Sequence, residues 1–390
     1  MNSYFEFINT GKILCGDNAL NNIAYELDFL GCKSPMLLSD NGLLKIGTLD
    51  VVKNACKGVT FNTVFTDIPA DSSTITINQI ARLYKNNKCD GIVAVGGGSV
   101  IDTAKGVRLM LGQECSNILS LSGNEIVKRG KHIPFIVVPT TSGTGSECTA
   151  VAVILDAKSK TKLEFISSEM LPDVAVLDVK LTKSLPPKLT ASTAVDALVH
   201  AIESYSCIQK NVMSDAYATM AVNLISNNLI DAIDNSDSFA RLNLALASNM
   251  AGTAFSNSMV GIVHAIGHAC GAVANIPHGN AMMMLLAPCM KFNLDVCNVE
   301  YSKLLLYFTN EDFYASTKPA DRAKVLIEKI EELISSLQEK TGIILKLSDY
   351  GVKESDLETI AQKAITDGAA IVNPKKFNKD DVIEILKQIF

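Results

Sequence analysis

The chain has no basic runs. Lys and Arg number 35 against 41 Asp and Glu, for a net charge of −6. Nowhere do cations cluster into the patch that a phosphate backbone requires, so no nucleic-acid partner is expected. Long apolar runs are also missing. The most apolar long stretch, Gly261 to Pro277, is too short for a comfortable membrane span and contains two histidines. The opening MNSYFEFINTGK carries an acid and no apolar core, which argues against a secretory signal and against a membrane partner. Ten cysteines are scattered singly without a C-x-x-C pair. That usage excludes a disulfide framework and predicts reduced thiols in the cytoplasm. There is no internal repeat, low-complexity tract or Ser/Gly linker. Histidine is scarce, with five in 390 residues.

What is present is a well-folded composition, 48% hydrophobic and 19% charged, long enough for two domains. The texture changes near Pro186-Pro187. Before it come short apolar runs: Pro35 to Asp40, Cys89 to Gly96, Ile133 to Pro139, Ala150 to Leu155 and Val174 to Asp178. Most end at Gly, Asp or Pro, and they read as buried parallel strands. Helical text such as TITINQIARLYK (Thr74 to Lys85) divides them, so a doubly wound α/β domain is expected over residues 1–184. After the prolines, long amphipathic segments dominate: Thr190 to Ser206, Ser214 to Ile233, Phe239 to Thr253 and Pro319 to Thr341. An all-helical domain is expected over residues 185–390, packed closely against the first with a cleft between them.

Two loops in the first domain invite a nucleotide. IVAVGGGSVIDTAK (Ile92 to Lys105) runs strand, glycines, helix. Glycines let a backbone approach a ligand and adopt positive φ, and a helix start offers unpaired N–H groups to a pyrophosphate. No G-K-[ST] follows, so this is not a Walker loop; the alternative is a tight strand-to-helix turn. FIVVPTTSGTGSE (Phe135 to Glu147) is a second strand-then-loop rich in small hydroxyls. Asp40, at the end of an apolar run, can accept from both hydroxyls of an adenosine ribose and would repel a 2′-phosphate, which favours NAD over NADP. Its alternative role is a turn or helix cap.

Four of the five histidines fall in three fragments of the second domain: DALVH (Asp196 to His200), HAIGH (His264 to His268) and IPHG (Ile276 to Gly279). Asp196 and His200 lie four apart and share a helix face, as do His264 and His268. Burying four imidazoles and an acid unpaired in apolar text is costly. A divalent cation resolves that cost, and one carboxylate with several imidazoles suits Fe(II), Zn or a similar ion. HAIGH lacks the glutamate of H-E-x-x-H, so peptide hydrolysis is not indicated. Beside a nicotinamide, a cation can bind an alcohol oxygen for hydride transfer.

Together GGGSVIDTAK, PTTSGTGSE, DALVHAIE, HAIGH and PHG, in this order, resemble the iron-dependent (type III) alcohol dehydrogenases over essentially the whole chain. The resemblance implies a Rossmann-like N-terminal domain, an all-α metal-binding C-terminal domain in a dehydroquinate synthase-like architecture, and a homodimer or higher homo-oligomer. It implies Asp196, His200, His264 and His278 as metal ligands, with His268 outside them near the nicotinamide as proton relay or ring orienter. Gly96, Gly97, Gly98 and Ser99 would hold the pyrophosphate. Asp102, Thr140, Thr141, Thr144 and Lys162 would line the nicotinamide and ribose side, with Asp40 on the adenosine ribose. Two departures stand out. Ala194 replaces a common Gly, and Ala70-Asp71-Ser72 stands where Asn-Pro-Thr is common near the adenine. The expected reaction interconverts small primary alcohols and aldehydes with NAD, since the strand near Val151 is apolar and Phe255 would narrow the pocket. Rivals on the same scaffold are a glycerol or diol dehydrogenase, a dehydroquinate synthase and a hydroxyacid–oxoacid transhydrogenase.

Overall fold

The computed structural model describes residues 4–9, 11–123 and 127–390. The chain divides into two compact units. One is Ile8–Leu185; the other is Pro186–Phe390 with the first residues of the chain up to Phe7, whose ring stacks on Tyr217 at 5.7 Å.

In the first unit, β1 (Lys12–Cys15), β2 (Pro35–Leu38), β3 (Thr63–Phe65), β4 (Gly91–Gly96), β5 (Phe135–Pro139) and β8 (Val174–Leu177) form one sheet in the order β1-β8-β5-β4-β2-β3. Every pairing in it is parallel. β4 and β5 are buried along their full length. Their side chains alternate between two apolar layers: Ile92, Ala94, Phe135 and Val137 join one, and Val93, Val95, Ile136 and Val138 join the other. This is why these strands read as unbroken β-branched runs: helices cover both faces, and each fully buried Val or Ile contributes about 1.5–3 kcal/mol. After β3 at one edge, the chain crosses β2 to build β4 and then moves toward the other edge. Strand order therefore reverses between β2 and β4, the kind of crevice in which open α/β sheets bind ligands.

One expected parallel strand is not in this sheet. Ala150 to Leu155 falls in β6 (Val151–Asp156), which pairs antiparallel with β7 (Thr161–Ile166) in a separate hairpin. Only alternate residues of β6, Ala152 and Ile154, are fully buried, and β7 is mostly exposed. A half-exposed hairpin strand and a buried parallel strand look alike when the run is short. The edge strands β1 and β3 and the polar β7 carry little apolar signal and were not anticipated.

The second unit is helical. Its longest elements are Pro187–Ser206, Val212–Asp234, Ser238–Ser256, His278–Phe308 and Arg322–Thr341. The helix Pro187–Ser206 starts with Pro at its first position, where a missing N–H costs nothing. From Thr190 onward it is buried on nearly every side, Ala194 included. A helix that is apolar all round belongs in the middle of a domain. It packs against Val212–Asp234, Ser238–Ser256 and His278–Phe308. No described helix is long and apolar enough to cross a membrane.

Candidate active site

The central helix carries Asp196, His200 and Glu203 on one face, at i, i+4 and i+7. His264 and His268 come from the helix Ile262–Ala274, and His278 is the first residue of His278–Phe308. Two glycines let these helices meet. A Cβ at Gly267 would collide with Met282 Cε, and one at Gly279 would lie 2.5 Å from the Ser192 carbonyl oxygen. The glycine of PHG thus marks a close backbone approach to the central helix, which brings His278 toward Asp196, and the glycine of HAIGH leaves room for the Met282 side chain.

Asp196 Oδ1 lies 3.2 Å from His278 Nε2, 3.8 Å from His264 Nε2 and 3.9 Å from His200 Nε2. Asp196, His200 and His264 are buried, and His278 approaches from an exposed position. Donor atoms of the three buried residues lie within 4.8 Å of one another, close enough to share an ion. The decisive feature is what these atoms lack. Asp196 Oδ1, His264 Nε2 and His200 Nδ1 are buried without a hydrogen-bond partner, a state that costs about 1–3 kcal/mol per neutral group and more for a charge. The Asp196 oxygen and the imidazole nitrogen of His264 converge as a divalent ion requires, so the residues fit a metal.

Electrostatics supports deprotonated donors. Burial opposes ionisation of Asp196, yet His200, His278 and His264 together hold its carboxyl well below the usual carboxylate range. Burial depresses His200 to about 3, with Asp196 pulling the other way. Burial and His278 push His264 well below its ordinary value. The imidazoles of His200 and His264 are therefore neutral near pH 7, as a metal ligand must be.

His268 sits beside the cluster. Its ring stacks on His278 at 5.5 Å and meets His264 edge-on at 5.7 Å. Its Nδ1 pairs with Asp367 Oδ2 at 3.0 Å. Asp367 is held in turn by the Ala369 amide at 2.9 Å. Burial works against the Asp367 charge, but the bond from His268 keeps its carboxyl below the ordinary range. Phe255 stacks on His200, centroids 4.3 Å apart. The fifth histidine, His132, pairs with Asp173 in the α/β unit.

Sequence reasoning gave no role to Glu203 or Asp367. Glu203 was detectable: it is one more acid at helical spacing on the face of Asp196. Asp367 is 99 residues from His268, and nothing local reveals the pairing.

In the α/β unit, the expected dinucleotide residues gather at the C-terminal ends of neighbouring strands. Asp40 follows β2, Gly96 ends β4 with Gly97 to Ser99 after it, and Thr140 to Thr144 follow β5, whereas Asp102 lies in the helix Gly98–Gly112 and Lys162 in β7. The two loops touch: the Thr140 amide donates to the Gly96 carbonyl at 3.0 Å. The expectation of positive φ in the glycine run does not hold, since Gly96, Gly97 and Gly98 are absent from the left-handed residues. They are glycines for space. A Cβ on Gly96 would lie 2.6 Å from Val100, one on Gly98 2.9 Å from Thr144 Cγ2, and one on Gly97 3.4 Å from Thr141. The helix Gly98–Gly112 opens without a side-chain cap. Gly145 in the second loop does adopt positive φ, +59°.

Several of these side chains already have protein partners. Asp40 caps the helix Asn41–Lys45 by accepting from Leu43 N at 2.9 Å. Asp102 accepts from Ser146 Oγ at 2.6 Å and Val153 N at 2.9 Å; burial raises its pKa against the pull of Lys105. Ser99 Oγ donates to the Ala70 carbonyl, and Lys162 Nζ pairs with Asp71 at 2.8 Å. The atypical Ala70-Asp71-Ser72 segment thus engages two of the expected cofactor residues. Lys105, from the same glycine motif, is fully buried, donating to Thr149 Oγ1 and the Val151 carbonyl at 2.8 Å each.

Comparison with known proteins gives a consistent picture. Residues 10–179 match the family model for iron-containing alcohol dehydrogenase, and residues 190–390 match that for the C-terminal part of the Fe-containing alcohol dehydrogenase family. The chain is 33% identical over 390 residues to 1,3-propanediol dehydrogenase of Citrobacter freundii, covering 99% of each. It is 31% identical over 384 residues to the NAD-dependent methanol dehydrogenase of Bacillus methanolicus, covering 98% of each. The crystal structure of a 1,3-propanediol oxidoreductase superposes with a TM-score of 0.93 at 31% identity, over 99% of this chain and 100% of that one. The chain belongs to the iron-containing alcohol dehydrogenase family and is a metal-dependent oxidoreductase of alcohols and aldehydes.

Proposed function

We propose that Asp196, His200, His264 and His278 hold one divalent ion, Fe(II) or in its place Zn or a similar metal, and that the enzyme oxidises small primary alcohols with NAD and reduces the matching aldehydes. The observation that carries this reading is the convergence of Asp196 Oδ1 and His264 Nε2, buried and unpartnered, beside His200 and His278. A cation bound there acts as a Lewis acid on the alcohol or carbonyl oxygen and favours loss of the alcohol proton.

The protein does the rest. Asp196 supplies the single negative charge among the four ligands. His268, oriented by Asp367, exchanges the alcohol proton with solvent or ribose. Gly96, Gly97, Gly98 and Ser99 receive the pyrophosphate on backbone N–H groups at the open helix start. Asp40 accepts from the adenosine ribose hydroxyls, which favours NAD; the likeness to an NAD-dependent methanol dehydrogenase supports this choice. Asp102, Thr140, Thr141, Thr144 and Lys162 line the nicotinamide side, Asp102 through the loop it braces. Phe255, stacked on His200, limits substrate size. The likeness to 1,3-propanediol dehydrogenase favours a second reading in which a diol is the substrate. Ten free thiols support a reducing, cytoplasmic setting.

The test is anaerobic purification, metal analysis, and NAD and NADP kinetics over ethanol, butanol, the propanediols and glycerol. NAD-linked turnover highest with a simple primary alcohol is expected. A preference for NADP would overturn the role given to Asp40. A preference for 1,3-propanediol would select the diol reading, and turnover without added NAD would select a transhydrogenase.

A further inference from the structure

Glu203 is buried on the same helix face as Asp196 and His200, yet it does not point at Asp196. Its Oε2 lies 2.6 Å from His264 Nδ1, and its Oε1 accepts from the Val263 amide at 2.7 Å. The amides of Gly261 and His264 also face it. These groups form the start of the helix Ile262–Ala274, which has no cap from its own side chains. The remaining acceptor at that helix end is Asn373 Oδ1, 3.1 Å from Ile262 N. Gly261 leaves room for both: a Cβ there would lie 2.8 Å from Asn373 Oδ1 and 3.1 Å from Glu203 Oε1.

Each backbone neighbour of Glu203 is a donor, which favours the ionised carboxylate; in that form Oε2 accepts and the proton of the His264 contact resides on Nδ1. The opposite ring nitrogen, Nε2, then carries a lone pair. That nitrogen is the one buried without a partner and aimed at Asp196. We infer that Glu203 is a positioning residue that locks His264 in its Nδ1–H tautomer and thereby sets the affinity of the four-residue site for its metal. The inference rests on the reading that Asp196, His200, His264 and His278 hold the ion.

Glu203→Gln tests it, because an amide cannot replace the carboxylate here. With its oxygen toward the backbone amides, its NH2 faces His264 Nδ1 and drives the proton to Nε2, where it blocks ligation. Turned over, it sets NH2 against the backbone donors. Full-length wild type, Glu203→Gln and the capping control Asn373→Ala are stripped of metal and titrated with Zn(II) against a chromophoric chelator, and with Co(II) read by its visible bands. The expected result for Glu203→Gln is a Zn(II) Kd raised about 10- to 100-fold with an altered Co(II) spectrum. Asn373→Ala should unfold at lower temperature with an unchanged Kd. A Glu203→Gln Kd equal to wild type, with the same Co(II) bands, overturns the inference while leaving the metal site standing. Failure of wild type to bind either ion overturns the metal site itself. Should Glu203→Gln not fold, 15N spectra of histidine-labelled wild type decide: a proton on His264 Nδ1 supports the inference, and a bare Nδ1 overturns it.

Discussion

The two units treat their polar side chains in opposite ways. In the α/β unit, Asp40, Ser99, Asp102 and Lys162 each have a protein partner, and the glycine loop offers backbone and space. In the helical unit, Asp196, His200 and His264 keep buried atoms unpartnered. A dinucleotide is long and polar along its whole length, so shape and main-chain amides can receive it while side chains brace the loops. An ion is a point charge, and only side-chain donors held open for it will do. The same distinction separates the kinds of damage each unit should suffer.

The largest effect is expected at the open donors. His200→Ala should lose bound metal and at least about 10³-fold in turnover, since several kcal/mol of Lewis-acid stabilisation go with the ion; elemental analysis alongside kinetics reads both. Retention of metal and rate would erase the contrast between the units. Next comes His268→Ala, for which about a 10²-fold slower rate, normal metal content and an altered pH–rate profile are expected. Loss of metal instead would move His268 among the ligands. In the α/β unit, Gly98→Ala places a methyl 2.9 Å from Thr144 Cγ2. Crowding of this kind costs about 1–3 kcal/mol, so NAD affinity measured by calorimetry should fall roughly tenfold while metal content stays unchanged.

The smallest expected effect is on stability, and it has opposite origins in the two units. In the metal-free protein, His200 (about 3) and His264 stay neutral when folded, whereas the unfolded chain titrates near 6.5. The unfolded state then binds more protons, so stability is fully present above pH 6.5 and falls as pH drops. Burial raises Glu203 to about 7 from 4.5, which works the other way between those values and offsets part of the effect of the two histidines. The net direction is a loss of stability as pH falls below 6.5. Lys105 is depressed by burial to about 8 from 10.5, so the α/β unit should instead gain stability as pH rises from 8 to 10.5. Urea unfolding of the stripped protein at pH 5, 7 and 9 checks both signs; a higher midpoint at pH 5 than at pH 7 would contradict the first.

The fold was legible where burial is complete. β4 and β5 announce themselves because both faces are covered, and the helix Pro187–Ser206 because apolar residues surround Asp196, His200 and Glu203 at helical spacing. Ala150 to Leu155 misled because six apolar residues fit a hairpin as well as a parallel strand. The clustering of four histidines pointed to an ion before any contact was known. Positive φ is not found in the glycine run for a physical reason: those glycines make room for Val100 and Thr144, and the bend from strand to helix at Gly97 is made at negative φ. Side-chain partnerships remained hidden. Glu203 with His264 and Asp367 with His268 join residues 61 and 99 apart, and no periodicity encodes such meetings.

The missing methyl groups at Gly267 and Gly279 have one more consequence. Neither residue offers an atom to a metal, and neither would be chosen by someone redesigning the coordination sphere. Yet a serine or alanine at Gly279 would press on the Ser192 carbonyl of the central helix and carry His278 out of reach of Asp196, and one at Gly267 would displace the end of the Met282 side chain. Attempts to exchange the native ion by swapping donors would therefore do well to keep these two silent positions fixed, Gly279 above all, since it sets how near His278 stands to Asp196.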